Sequence, residues 1–176
     1  SMGLSLGLLA LATLFQGQAH AELPPEPWTV FVRVVGAADA DIESRVRGQV
    51  SDLGAGTVGE PSSGLEPDLR RQLDAARALA AGRERVLVVW FVRSKGELRV
   101  HVARPATERV LLRSLPRSGT EGGEDAEREA AALVIRSALR AVAAGEQMGV
   151  SEQRLAPAPA PPSVSPPSSD AALRDE

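Results

Sequence analysis

The run Val86–Val92, V-L-V-V-W-F-V, is the strongest constraint in this chain. Successive side chains of a strand point to opposite faces, so a strand apolar at every position must be covered on both sides. Its length and its β-branched and aromatic residues argue for a strand. This segment should be the buried centre of a sheet. Trp28–Val35, W-T-V-F-V-R-V-V, is also apolar on both faces and reads as a second central strand. Between them two helices are expected. The first spans Asp39–Leu53: Asp39 or Asp41 can cap its start, and Ile42, Val46, Gln49/Val50 and Leu53 recur at helical spacing. The second begins near Pro67, with Leu69, Leu73, Ala76 and Ala80 along one face and Gly82 at its close. A short strand around Thr57 and Val58 lies between the helices.

After the central run, Ser94-Lys95-Gly96 is a turn, with Gly96 free to take positive φ. Leu98, Val100 and Val102 alternate with Arg99 and His101, which predicts a strand with one wet face. Arg104–Thr107 turns again, and Glu108–Leu115 forms another strand. The last helix has Glu124, Asp125, Glu127 and Glu129 in its first turns and Arg136 and Arg140 near its end, the polarity that the helix dipole favours. The order is β-α-(β)-α-β-β-β-α. The expected fold class is α/β (α+β), a mixed sheet of four or five strands with three helices, built from residues 28–145.

The segments A-L-A-A-G-R-E-R-V-L-V-V-W-F-V, E-L-R-V-H-V-A, E-R-V-L-L-R-S-L and A-E-R-E-A-A-A-L-V-I-R-S-A-L-R-A-V, between Leu79 and Gly145, carry a resemblance. They look like the end of the N-terminal α/β domain of TolB-type periplasmic proteins. That family shows a helix, a strong apolar strand, a meander with short turns and an Ala-rich helix. Where the family's turn before the last strand usually has Asp and Gly, this chain has Pro105-Ala106-Thr107. The TolB β-propeller cannot fit in the remaining residues. The chain is also similar to secreted proteins of arginine-rich, high-GC proteobacteria. The resemblance implies an envelope interaction module.

Residues 1–21 carry no charge, and Leu4–Phe15 is a largely apolar run. About 12 residues are too few to span a bilayer, which takes roughly 20. Ala19-His20-Ala21 suits signal peptidase. A signal peptide over 1–21 is therefore expected, which places the mature chain in the periplasm or outside a Gram-negative cell. The opening Ser-Met and the missing Lys or Arg point to a true start further upstream. A Pro-rich lead-in covers 22–27. From 146 to 176 the apolar periodicity is lost, and Leu155–Ser169 is rich in Pro, Ala and Ser. Proline fixes φ and lacks the amide donor, so a disordered, extended tail is expected there.

Much chemistry is ruled out by composition. With no cysteine there is no disulfide framework, thiolate metal site, cysteine nucleophile or lipoprotein anchor. Aromatic residues are 3% and net charge is −3, which argues against a nucleic-acid platform. Gly54-Ala55-Gly56-Thr57-Val58-Gly59 matches G-x-G-x-x-G, but a helix precedes it and no helix opens from it, so it reads as a structural turn. His101 has no carboxylate at ligand spacing and no G-x-S-x-G partner motif, and it is placed on the exposed strand face. Glu121, Glu124, Asp125, Glu127 and Glu129 are explained as a helix start and solvated surface. No cofactor, metal site or catalytic residue is expected.

The basic residues are the better candidates. Arg93, Lys95, Arg99, Arg104, Arg109, Arg113 and Arg117 face only Glu97 and Glu108 in the same stretch. Arg93, Lys95, Arg99, Arg109 and Arg113 are the expected interaction surface, meeting an acidic envelope surface or another envelope protein. An exposed strand edge could add a partner peptide. The expected function is an exported, non-enzymatic envelope module, with no membrane span after signal cleavage. The alternatives are an N-terminal periplasmic fragment of a larger outer-membrane protein, or a small carboxylate-dependent hydrolase.

Overall fold

The computed structural model describes residues 25–117 and 122–155. The expected signal peptide, the first half of the lead-in, Glu121 and the tail beyond Leu155 lie outside the described residues. The elements are β1 (Thr29–Val34), α1 (Ala37–Val50), β2 (Gly56–Pro61), α2 (Leu69–Ala80), β3 (Val86–Ser94), β4 (Glu97–Arg104), β5 (Arg109–Pro116), α3 (Gly123–Ala143) and β6 (Val150–Ser151). Among the described residues no helix is long and apolar enough to cross a membrane.

The fold is α+β, a mixed six-stranded sheet with three helices in the order β2-β1-β3-β4-β5-β6. β1 runs parallel to both its neighbours, and the strands from β3 to β6 pair antiparallel. Parallel crossovers are almost always right-handed. The chain steps from β1 outward to β2, then back across β1 to β3. Reversing direction under that rule puts α1 and α2 on opposite faces. Val30, Val32, Leu87, Val89 and Phe91 accordingly pack with Ile42, Val46 and Val50 of α1 and with Ile135, Leu139 and Val142 of α3. Phe31, Val86, Val88 and Trp90 pack with Leu73, Ala76 and Ala80 of α2 on the other face. The unbroken apolar runs of β1 and β3 are explained by this two-sided cover.

Local chemistry sets the helix ends. The start of α2 is capped by Asp68, whose carboxylate accepts the Arg71 amide at 2.9 Å. Pro67 therefore precedes the cap instead of opening the helix. Asp39 is not the cap of α1, which begins after Gly36. Its buried carboxylate accepts the Val35 amide at 2.9 Å and pairs with Arg93. That fixes the corner between β1 and α1.

The sixth strand lies where the sequence reading begins the tail. Two residues carry no periodicity, so β6 leaves no pattern to read. From Glu146 the chain instead turns back along β5, and Val150 pairs with Val110. Met148 is buried under it, and Leu155 packs on the α2 face. Gly149 makes the approach possible. Its φ is +57°, and a Cβ there would stand 2.1 Å from the Val110 carbonyl oxygen. Arg109 ties the same turn down by donating to the carbonyls of Met148 at 2.8 Å and Gly149 at 2.6 Å.

Candidate functional site

The two faces of the sheet are covered unequally. Among the described residues two helices lie over one face, whereas the other is covered by the 12-residue α2 and, at its margin, by Leu155. α2 sits over β1 and β3, and beyond it the face is open around Val92, Arg99, Leu112 and Ser114, whereas Ala103 and Val110 of β4 and β5 are fully buried. There the sheet presents Val92 from β3, Arg99 and His101 from β4, and Leu112 and Ser114 from β5, next to the fully buried Trp90. Trp90 stands opposite His101, and His101 opposite Leu112. Leu69 and Gln72 of α2 form the wall, enclosing a groove of about 340 Å³.

A polar chain runs under this groove. Arg33, buried at the end of β1, donates to both carboxylate oxygens of Glu66, at 2.6 and 2.9 Å. The Glu66 carbonyl accepts from Gln72 Nε2 at 2.7 Å, and Gln72 Oε1 accepts from Trp90 Nε1 at 2.8 Å. The Trp90 ring stacks on His101, with centroids 5.0 Å apart and planes 12° from parallel. The guanidinium beside Glu66 holds its carboxyl below the usual range through a hydrogen bond, against a smaller opposing effect of burial.

His101 corrects the expected wet face. It is 5% exposed, covered by Trp90 and its neighbours, while Arg99 two residues earlier is exposed. Burial pushes the imidazole down from 6.5 to about 4, with the Arg99 charge as a second cause. The ring is neutral at pH 7, and its buried Nδ1 has no hydrogen-bond partner among the described residues. The unfolded chain takes up this proton near pH 6.5, whereas the folded chain resists it until about 4. The stability held by the neutral ring is therefore complete above 6.5 and declines as pH falls toward 4. Between pH 7 and 5 the decline is about 2 kcal/mol. Urea midpoints at those two pH values should show it, and His101→Gln should remove most of the difference. An equal pH difference in the variant would mean that other groups carry it.

The five expected interaction residues do not form one surface. Alternation along the strands separates them. Arg99 faces the groove and pairs with Glu97. Arg113 stands opposite Val100, which packs on the α1–α3 side, so it projects from the other face. Arg93 is on that second face as well, paired with Asp39. Arg109 is occupied at the β5–β6 edge, and Lys95 lies in the β3–β4 turn. β6 covers β5 only at Arg109 and Val110, leaving the edge from Leu111 to Pro116 without a strand partner among the described residues.

The acidic group on α3 is tied up by arginines. Asp125 and Glu129 pair with Arg45, Glu124 with Arg128, and Glu127 with Arg117. Gly54 closes a short turn with φ +64°, and Gly56–Gly59 belong to the edge strand β2. Among the described residues no three His, Asp or Glu side chains converge on a point that a metal ion could occupy. No protein-family model, curated protein or solved structure matches the chain.

The groove was missed because its signal is split. Gln72 is the one polar residue on the buried face of α2, and Trp90 is the one buried side chain in its strand with an N–H to satisfy. Those two exceptions to an apolar pattern mark the place.

Proposed function

We propose that this chain is a non-enzymatic binding module of a bacterial envelope, which holds an extended segment of a partner protein on the open half of its sheet. The groove between α2 and β5 carries the reading. Leu69, Val92 and Leu112 offer it apolar contact, and Gln72, Ser114 and Arg99 stand among them as polar groups. A floor held by Trp90, Gln72 and His101 is ordered before any partner arrives, which lowers the entropy cost of binding. Arg99, exposed and held by Glu97 in the free protein, is the cation at the groove, and an acidic side chain of the partner segment competes with Glu97 for it. The uncharged first 21 residues support export, and the likeness in layout to the TolB N-terminal domain supports an envelope role.

Placing a photo-crosslinking residue at Leu112, and a control at Arg47 on the outer side of α1, tests the reading in the full chain expressed in a Gram-negative host. A discrete adduct from position 112 and none from position 47 is the expected result. Arg99→Gln should weaken capture several-fold, and Arg113→Gln on the opposite face should leave it unchanged. Equal adducts from both positions, or none from either, would reject the groove as the contact surface.

A further inference from the structure

We propose a second binding site at the opposite end of β1 and β3, for a small zwitterion that carries an oxyanion beside an ammonium group, as phosphoethanolamine does. Topology assembles it. β1 and β3 run parallel in register, so Trp28 and Arg85 at their starts lie side by side, and the Thr29 amide donates to the Arg85 carbonyl at 2.9 Å. β4 runs the other way and brings Arg104 to the same place. The guanidinium carbons of Arg85 and Arg104 lie 5.4 and 5.2 Å from the centroid of the Trp28 ring. An open cleft of about 730 Å³ surrounds them, edged by Glu26, Glu84 and Val142.

Among the described residues two donors in this cleft have no acceptor. Trp28 is 6% exposed, and its Nε1 is shielded from water without a partner. Arg104 Nε is in the same condition. A buried donor left unsatisfied is costly and rare in native proteins. Among the described residues neither Arg85 nor Arg104 forms an ion pair, although both sit over one ring and repel each other. An oxyanion relieves all three features together, since it accepts from both donors and sits between both charges. Arg85 and Arg104 are half-exposed on flexible stems, and their movement opens the shielded donors. Arg83 is committed elsewhere, donating to the Ala80 and Leu79 carbonyls at 3.2 Å each.

The remaining charges select against a polyanion. Glu26 and Glu84 stand exposed at the rim. α2 and α3 both end here, at Gly82 and Gly145, and bring the carbonyl ends of their dipoles. These groups favour a cation next to the oxyanion. A ligand carrying both charges satisfies the whole cleft.

The chain has two tryptophans, so an ¹⁵N spectrum of the full protein has two indole N–H signals, and loss of one in Trp90→Phe assigns them. Titration with phosphoethanolamine should shift the Trp28 signal saturably and leave that of Trp90 in place. Inorganic phosphate and ethanolamine should each bind at least about tenfold more weakly. Arg85→Gln and Arg104→Gln should each weaken binding about tenfold, and Arg85→Lys, which keeps the charge, should weaken it less. The amide spectrum of each variant reports whether it folds. A Trp28 signal that never moves overturns the proposal. So does phosphate binding as tightly as phosphoethanolamine, or unchanged binding in folded arginine variants. Sedimentation with phosphatidylethanolamine vesicles separates the sources: co-sedimentation that free phosphoethanolamine reverses assigns a membrane headgroup, and binding of the free compound alone assigns a soluble ligand.

Discussion

Trp90→Ala is expected to remove about 3–5 kcal/mol of folding stability, the range for deleting a large aromatic side chain from a core. Three losses combine. The indole is fully buried, so its removal leaves a cavity between β3 and α2. Gln72 Oε1 loses the donor it holds at 2.8 Å. His101 loses the ring stacked over it, and water gains access to a group now kept neutral by burial. Total stability of a domain this size is about 5–15 kcal/mol, so this loss removes a large share of it and the variant should melt well below the wild type. Trp90→Phe separates the parts. It keeps much of the volume and the stack but orphans Gln72, at a cost of about 1–3 kcal/mol. Urea unfolding of both variants measures the two figures. A cost below about 1.5 kcal/mol for Trp90→Ala would show that α2 does not depend on this contact for its position.

Glu66→Ala should cost about 3 kcal/mol, near the low end for breaking a buried ion pair, because Glu66 keeps some access to water. The larger share comes from what remains. Arg33, with 7% of its side chain exposed, keeps its charge in the sheet interior with only Ser62 Oγ nearby, at 3.4 Å. The double variant Arg33→Met with Glu66→Leu removes both charges and should recover most of the loss. The pair also has a pH signature. The carboxyl of Glu66 is held below its ordinary value of 4.5 when folded, so its contribution is complete above that value. It is lost as pH falls through the lower folded value, where the unfolded chain binds the proton more readily. Thermal melts of wild type and Glu66→Ala should therefore converge on acidification below the ordinary carboxyl value of 4.5. A constant gap between the two curves would mean that the ion pair is not the source of the difference.

The strands and helices were legible wherever one physical rule acted alone. Val86–Val92 became the strand between β1 and β4 because an apolar residue at every position admits few other placements. Leu73, Ala76 and Ala80 mark the buried face of α2 by spacing alone. Gly96 takes φ +85° in the turn that needs it. The reading failed where tertiary contact overrides local pattern. His101 alternates with apolar residues like a solvent-facing side chain, and only the position of Trp90 on the neighbouring strand buries it. The charge run from Arg93 to Arg117 looks continuous in the sequence, but strand alternation distributes it to two faces and an edge. β6 exists because Gly149 lets the chain approach β5, a tertiary fact with no local signature. The groove belongs to the same class, since it arises from how far one helix extends over the sheet.

The place of β1 in the sheet bears on how the chain reaches its fold. β3, β4 and β5 pair with neighbours one turn away, so that meander closes small loops and can assemble early. β1 emerges first from the ribosome, yet half its pairing waits for β3, synthesised much later. Until then T-V-F-V-R-V keeps one edge unpaired and its α2 face uncovered, a sticky extended segment. Arg33 interrupts its apolar character in that interval, and a single charge of this kind discourages pairing with other nascent chains. The same guanidinium is later buried against Glu66. The ion pair therefore closes off a residue that served solubility before the sheet existed, and a chain with methionine at position 33 should fold to the same structure while aggregating more readily on the way.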